Sequence, residues 1–195
     1  MRLIGCVIIS LLCCFHGNAQ EKAIILKNVN VVDVVEGSIR KGQDVVIKEG
    51  IIQAVGKGAG TGVSGEVKNL TGMYVMPGLI DAHVHIANDP KESQADRAKH
   101  LEYFLRHGVT SIRDAAGDAR VLRELKEGVQ QGKYLGPDIY YAAFMAGPAY
   151  FEGNDREKSM VEGWPEPYAP WMQCIRPDSD LDKAMEDAKE WGCVG

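Results

Sequence analysis

The segment from Pro77 to His85 constrains the fold of this chain more than any other feature. It reads Pro-Gly-Leu-Ile-Asp-Ala-His-Val-His, so that polar and apolar side chains alternate after a Pro-Gly entry. Side chains two apart on a β-strand project from the same face. We therefore predict a strand at 79–86 with apolar residues on one face and a polar row on the other. The polar row consists of Asp81, His83 and His85.

Two members of this row, His83 and His85, are candidate ligands of a single cation. Neutral imidazole is a common ligand of zinc. A polar group on a buried strand costs free energy unless a partner satisfies it, and a metal ion is such a partner. The alternative is a hydrogen-bonded structural pair. The strand context and the Pro-Gly entry favour metal ligation.

The sequence pattern changes near Pro77. Residues 20–76 contain short runs of Val and Ile between glycine turns, which predicts a small antiparallel sheet. After Pro77, strands alternate with helices, which is typical of βαβ units and a parallel sheet. Strands are expected at 79–86, 109–113 and 139–144, with another starting at Cys193; helices are expected at 95–107, 118–132 and 181–191.

Local signals mark the ends of these elements. Asp118 and Ser179 are expected to cap helices, and three glycines are expected to end them. These glycines are Gly108, Gly132 and Gly192. The glycine-rich segment 56–65 precedes a strand rather than a helix, so we interpret it as a flexible connection and not as a phosphate-binding loop.

The first residues are typical of a secretory signal peptide. Arg2 precedes a largely apolar run of 13 residues, Leu3 to Phe15. A membrane span takes about 20 residues, so this run is too short to cross a bilayer. We expect cleavage after Ala19 and export to the periplasm or the medium. A buried segment of the fold is the alternative, and a lipid anchor is disfavoured because neither Cys13 nor Cys14 follows a small residue.

The charge and the cysteine content limit which partners and sites the sequence indicates. The 22 Lys and Arg residues against 27 Asp and Glu residues give a net charge of −5, so nothing indicates the basic face that nucleic acid requires. Cys174 and Cys193 follow the predicted cleavage site. They can pair in an exported protein or remain ordinary thiols, which is the simpler interpretation. No Cys-x-x-Cys motif indicates a cysteine metal site.

The segment from Pro77 to His85 resembles the signature of the amidohydrolase superfamily, Pro-Gly-x-Ile-Asp-x-His-x-His. The preceding residues 72–76 and the segment 108–114, Gly-Val-Thr-Ser-Ile-Arg-Asp, resemble the imidazolonepropionase and prolidase-like group of that superfamily. A weaker resemblance extends over the rest of the mature chain. It implies an α/β fold in which a small composite β-sandwich, residues 20–76, precedes a (β/α)₈ TIM barrel that begins at residue 77.

This resemblance also implies a metal centre. One or two divalent ions, most simply Zn²⁺, would lie at the carboxyl ends of the barrel strands, with His83 and His85 as ligands. Asp81 either orients a ligand or makes a purely structural hydrogen bond. Asp114 either points toward the site or serves as a turn residue. His100 and His107 fall on a predicted helix and are not candidate ligands.

The function that the resemblance implies is hydrolysis of a carbon–nitrogen bond, in a dipeptide or a cyclic amide, by metal-activated water. A non-catalytic binding module or a degenerate relative is the alternative. The expected partner is a small-molecule or dipeptide substrate, with no nucleic acid and no membrane span, and a homo-oligomer is left open. Aromatic residues at 145–177 either line the substrate site or pack the loop. They are Tyr150, Phe151, Trp164, Tyr168 and Trp171.

The length limits how much of the barrel the chain contains. A complete barrel takes about 250 residues, whereas 120 residues run from Met76 to Gly195. We therefore expect a truncated barrel whose catalytic residues lie after residue 195. The 195-residue chain alone is then expected to be inactive and to bind metal poorly.

Overall fold

The computed structural model describes residues 22–89, 91–152 and 172–194, and the chain divides into two compact units. One unit ends at Pro77 and the other begins at Gly78. The predicted signal peptide lies outside the described residues. Within the described ranges, no helix is long and apolar enough to cross a membrane.

The first unit is a five-stranded sheet. Its strands are β1 (Ala23–Asp33), β2 (Ser38–Lys48), β3 (Ile51–Gly56), β4 (Gly65–Asn69) and β5 (Tyr74–Val75). The order is β3-β2-β1-β4, and β5 also pairs with β1. The pairs β1–β2 and β2–β3 are antiparallel, whereas β4 and β5 run parallel to β1. The predicted antiparallel pairing is therefore confirmed for β1, β2 and β3. Strands β4 and β5 differ from the prediction, because segment 57–64 crosses over before β4 begins and both strands then run in the direction of β1.

The buried carboxylate of Asp44 holds segment 57–64 against the sheet. It accepts hydrogen bonds from the backbone amides of Asn28, at 3.1 Å, and Gly60, at 3.3 Å. Asn28 lies at an irregularity of β1 and has a φ of 58°. A Cβ atom on Gly60 would overlap the side chain of Ile25, so only glycine fits there. The glycine-rich segment is thus a connection made of turns that is hydrogen-bonded to the sheet at Gly60.

The second unit contains a parallel sheet of three strands. They are β6 (Leu79–Val84), β7 (Val109–Asp114) and β8 (Asp138–Tyr141), in the order β6-β7-β8. Helix α1 (Gln94–Arg106) joins β6 to β7, and α2 (Ala119–Gln130) joins β7 to β8. This alternation confirms the predicted mixed α/β class.

Short elements follow β8. They are β9 (Phe144–Ala146), α3 (Pro148–Glu152), β10 (Met172–Cys174) and α4 (Leu181–Glu190). Strands β9 and β10 pair in parallel, so the segment expected to be a single long loop carries regular structure at both ends. The pairing joins residues that are distant in sequence, and local propensity does not encode such contacts.

The helix ends agree with the glycine signals. Gly108, Gly132 and Gly192 follow α1, α2 and α4, and their φ angles of 84°, 71° and 83° lie in the left-handed region that favours glycine. The side chain of Asp118 caps α2, as predicted. Helix α4 is capped by Asp180 rather than by the predicted Ser179.

The core of the second unit joins the sheet to α1 and α2. Its most buried side chains are at most 2% exposed and form one apolar cluster. They include Leu101, Ile112, Leu122, Leu125 and Ile139. Burial of the apolar faces of α1 and α2 against the sheet is the main stabilising contribution in such a layer.

Replacing Leu122 by Ala tests this core. The substitution removes buried apolar atoms and leaves a cavity, so we expect the free energy of unfolding of the second unit to fall by about 3–5 kcal/mol. Denaturant unfolding followed by circular dichroism measures this loss. The matched control is Leu135→Ala, because Leu135 is 54% exposed and its truncation should cost less than about 1 kcal/mol. Equal losses in the two variants would contradict the described packing.

Candidate metal centre

The strand that carries the histidines pairs irregularly with its neighbour. Asp81 faces Ile112 and Val84 faces Asp114, so two residues of β6, one of them His83, lie opposite a single residue of β7. A bulge of this kind bends a strand and redirects its side chains. The two-residue alternation is therefore interrupted beside His83.

Burial of the apolar residues changes across this bulge. Ile80 is 72% exposed and Ala82 is also exposed, whereas Val84 and Ile86 are buried. The expected apolar face of the strand is therefore buried only at its carboxyl end. The polar row begins on an exposed part of β6 and ends where the chain enters the core.

His83 and His85 lie side by side at this point, and both are exposed. Their Nε2 atoms are 3.3 Å apart, and the ring planes are inclined at 70°. Two nitrogens that each lie about 2.0–2.1 Å from a tetrahedral zinc ion are separated by about 3.3–3.4 Å. The pair therefore fits two ligand positions around one ion. The same separation also fits a hydrogen bond between the two rings.

Catalytic zinc sites use three protein ligands. Among the residues that the structure describes, no group of three His, Cys, Asp or Glu side chains is placed to hold a metal ion. The described residues thus provide two converging imidazoles and leave the remaining ligand positions unassigned.

Asp81 acts on the backbone of the pair. Its carboxylate accepts a hydrogen bond of 3.2 Å from the backbone amide of His83. The bond spans two residues and fixes the chain direction at His83. It contacts the peptide group of His83 and not the imidazole.

Asp114 lies at the carboxyl end of β7, and its side chain is completely buried. One carboxylate oxygen accepts from the backbone amide of Ile86 at 2.6 Å. The other accepts from the amides of Ala116 at 3.0 Å and Gly117 at 2.6 Å. Asp114 therefore stabilises its own turn, as one alternative predicted, and also holds the residue that follows His85.

Backbone hydrogen bonds reinforce this junction. The amide of Ala115 donates to the carbonyl of Val84 at 3.0 Å, and the amide of Asp118 donates to the carbonyl of Ala87 at 2.9 Å. The carbonyl of Asp114 accepts from the amide of Ala142 at 2.9 Å. Residues that follow β6, β7 and β8 are thus tied together at one edge of the sheet.

A buried arginine fixes the loop after the histidines. The guanidinium of Arg97, on α1, donates to the carbonyls of Asp89 and Glu92 and lies 3.6 Å from the Glu92 carboxylate. Nothing in the sequence marks Arg97 as a buried residue, because an arginine on a helix is usually solvated. The Nδ1 atom of His100, on α1, also lies 3.1 Å from this carboxylate, and His107 is the residue that directly follows α1.

The carboxyl end of β8 contains Tyr141, whose hydroxyl donates to the carbonyl of Trp191 at 2.9 Å. Burial raises the pKa of the Tyr141 hydroxyl, which keeps the donor protonated. The amide of Val194 donates to the carbonyl of Tyr141 at 2.9 Å. The chain after α4 therefore starts to run beside β8, where another parallel strand was expected.

The remaining residues singled out from the sequence are the cysteines and the aromatic loop. Cys174 and Cys193 are free thiols, and burial raises the pKa of the Cys193 thiol. The ring of Tyr150 packs on Phe144, with a centroid separation of 4.9 Å. Phe151 lies on α3, whereas Trp164, Tyr168 and Trp171 lie outside the described residues.

A histidine pair at the carboxyl end of the first strand of a parallel α/β sheet is thus the central feature of the second unit. A sequence profile described as "Amidohydrolase family" matches residues 74–193, which include this whole arrangement. The chain belongs to the amidohydrolase family, and the suspected superfamily is confirmed.

Individual relatives agree with this assignment. A dihydroorotase from Trichlorobacter lovleyi is 34% identical over 89 residues, which cover 46% of this chain and 21% of the relative. An adenine deaminase from Thermosipho melanesiensis is 30% identical over 152 residues, which cover 73% of this chain and 25% of the relative. The chain therefore spans about a quarter or less of the length of these relatives.

Solved structures show the same fold. A prolidase complexed with N-methylphosphonate-L-proline superimposes with a TM-score of 0.69 at 23% identity, over 88% of this chain and 45% of the prolidase. The ochratoxinase of A. niger gives a TM-score of 0.66 at 20% identity, over 89% of this chain and 46% of that protein. The described α/β arrangement is thus similar to the corresponding part of amidohydrolase barrel proteins.

Substituting Arg97 by Lys tests how the loop after the histidines is held. Lysine cannot reproduce the forked donors of the guanidinium, so we expect a loss of about 2 kcal/mol in the stability of residues 86–89 and 91–93. Hydrogen exchange followed by mass spectrometry measures the protection of this segment. Arg106→Lys, at an exposed position that pairs with Glu102, should change protection by less than about 0.5 kcal/mol. Unaltered exchange in the Arg97 variant would refute the proposed anchoring.

Proposed function

We propose that the whole protein containing this chain is a metal-dependent hydrolase of carbon–nitrogen bonds. Membership of the amidohydrolase family supports this proposal, as does similarity to a dihydroorotase, an adenine deaminase and a prolidase. We propose an amide bond as the target, in a dipeptide or in a cyclic amide. The chain covers only part of each relative, so the substrate contacts that would distinguish these two classes belong to the whole protein.

The observation that carries the proposal is the separation of 3.3 Å between the Nε2 atoms of His83 and His85. Both nitrogens bind one ion only when both rings are neutral and carry their proton on Nδ1. Exposure of both residues leaves room beside the pair for further ligands and substrate. These properties fit a divalent ion with open positions, and Zn²⁺ is the ion we propose.

A divalent ion bound here would lower the pKa of water from about 15.7 toward 7 and polarise the scissile carbonyl. The contribution of the described residues is to hold the two imidazoles together. Asp81 fixes the backbone of His83 by a bond to its amide. A further carboxylate is needed to transfer a proton to the leaving nitrogen, and we propose that it comes from residues after Gly195.

We also propose that the second unit is the beginning of a TIM barrel. Its three parallel strands in sequential order support this, as does the pairing of Val194 with the carbonyl of Tyr141. Leu79, on the outer strand β6, is 50% exposed, as expected where a closed barrel would supply neighbouring elements. Residues 20–76 would contribute to a composite sandwich.

Export is a separate proposal that rests on the sequence of residues 1–19. Its charged start, short apolar run and small residues before the expected cleavage site support a signal peptide. We therefore propose a periplasmic or secreted location for the mature protein, which would begin at Gln20.

Replacing His83 and His85 together by Asn tests the metal centre in the full-length protein. Loss of both imidazoles should reduce bound metal by at least one ion per chain. The value of kcat/KM for amide hydrolysis should fall by more than about 100-fold, because altering only the outer partners of ligands costs about 10–100-fold. Elemental analysis and hydrolysis assays on the same preparations measure both effects.

The matched control replaces His100 and His107 by Asn. These two histidines lie on α1 and at its end, so metal content and kcat/KM should stay within about twofold of the unmodified protein. Unchanged metal content in the His83 and His85 variant would exclude them as ligands. Metal binding by the unmodified protein without hydrolysis of dipeptides or cyclic amides would instead favour the non-catalytic alternative.

A further inference from the structure

We propose that Asp114 is a positioning residue that sets the geometry of the His83 and His85 pair. The inference rests on the metal site proposed above and assigns to a residue of the neighbouring strand the task of fixing that site. Asp114 binds the backbone that carries His85, so it would act on the metal through the peptide chain.

The carboxylate of Asp114 is held by backbone donors on both of its oxygens. Its two oxygens accept from three backbone amides, those of Ile86, Ala116 and Gly117, at 2.6 to 3.0 Å. The side chain is fully buried. A buried carboxylate is costly unless it is hydrogen-bonded, and bonds from amides to an ionised carboxylate are strong. The three donors therefore fix the carboxylate.

His85 is held through the backbone on both of its sides. On one side, the carbonyl of Val84 accepts from the amide of Ala115 at 3.0 Å. On the other, the amide of Ile86 donates to Asp114 at 2.6 Å. Both peptide groups that flank His85 are thus attached to the end of β7. The direction of the Cα–Cβ bond of His85 follows from this attachment, because its Cα lies between two fixed peptides.

The carboxylate of Asp114 is tightly surrounded on the side of Gly117. A Cβ atom on Gly117 would lie 2.8 and 2.9 Å from the two oxygens of Asp114 and 3.0 Å from the Cβ of Ala87. Gly117 therefore lets the turn close onto the carboxylate. A methyl group added at residue 117 would therefore displace the Asp114 carboxylate while Asp114 itself stays in place.

Asp114→Asn is the direct test, in the full-length protein. An amide offers one acceptor oxygen in place of two, so either Ile86 or the turn loses its acceptor. We expect affinity for Zn²⁺, measured by competition with a chelator, to fall about 10–100-fold. The visible d–d spectrum of the Co²⁺ form should change, and hydrolysis should recover when Zn²⁺ exceeds the weakened dissociation constant.

Two further variants separate positioning from general stability. Asp118→Asn alters a neighbouring carboxylate that caps α2 and binds the amide and guanidinium of Arg120, so metal affinity should stay within about twofold. Gly117→Ala displaces the Asp114 carboxylate and should weaken metal binding in the same direction as Asp114→Asn. If Asp114→Asn does not fold, the Gly117 variant provides the test.

The outcomes distinguish the two proposals. Weaker metal binding and an altered Co²⁺ spectrum in the Asp114 or Gly117 variant, with the Asp118 variant unchanged, support positioning. Unchanged affinity and spectrum in both, or equal loss in the Asp118 variant, overturn it while the histidine site stands. Metal retained after removal of His83 and His85 overturns the proposed metal site and this inference together.

Discussion

The carboxylate of Asp114, which accepts hydrogen bonds from three backbone amides, is the interaction on which the edge of the parallel sheet depends. It joins Ile86, the residue after His85, to the turn that leads into α2. The backbone carbonyl of Asp114 also accepts a hydrogen bond from the amide of Ala142, which follows β8. A single buried residue thereby links the exits of all three strands. His83 and His85 lie at this end of β6, so a structural bond at this edge also holds the backbone that carries His85.

Much of the fold is encoded locally, and those parts were predictable. Glycines placed the ends of α1, α2 and α4, and Asp118 capped α2, because caps and left-handed residues depend on a few neighbouring positions. The parallel course of β4 and the pairing of β9 with β10 were not predictable in this way. They depend on contacts between residues far apart in sequence, such as the hydrogen bond from Gly60 to Asp44.

The candidate site also combines features that the local sequence predicts with features that depend on contacts between distant residues. The spacing of His83 and His85 predicted a pair of imidazoles, and the structure brings their Nε2 atoms to 3.3 Å. The bulge beside His83 and the burial of Arg97 were not predicted, because they arise from the register with β7 and the path of the following loop. The role of Asp114 was left open for the same reason, since its acceptor contact to Ile86 crosses between two strands.

The most direct test of the account is anomalous diffraction from crystals of the full-length protein loaded with zinc, recorded on both sides of the zinc absorption edge. The account predicts a peak about 2.0–2.1 Å from the Nε2 atoms of both His83 and His85, with Asp114 still bound to the amide of Ile86. A hydrogen bond between the two rings with the zinc peak elsewhere would contradict it.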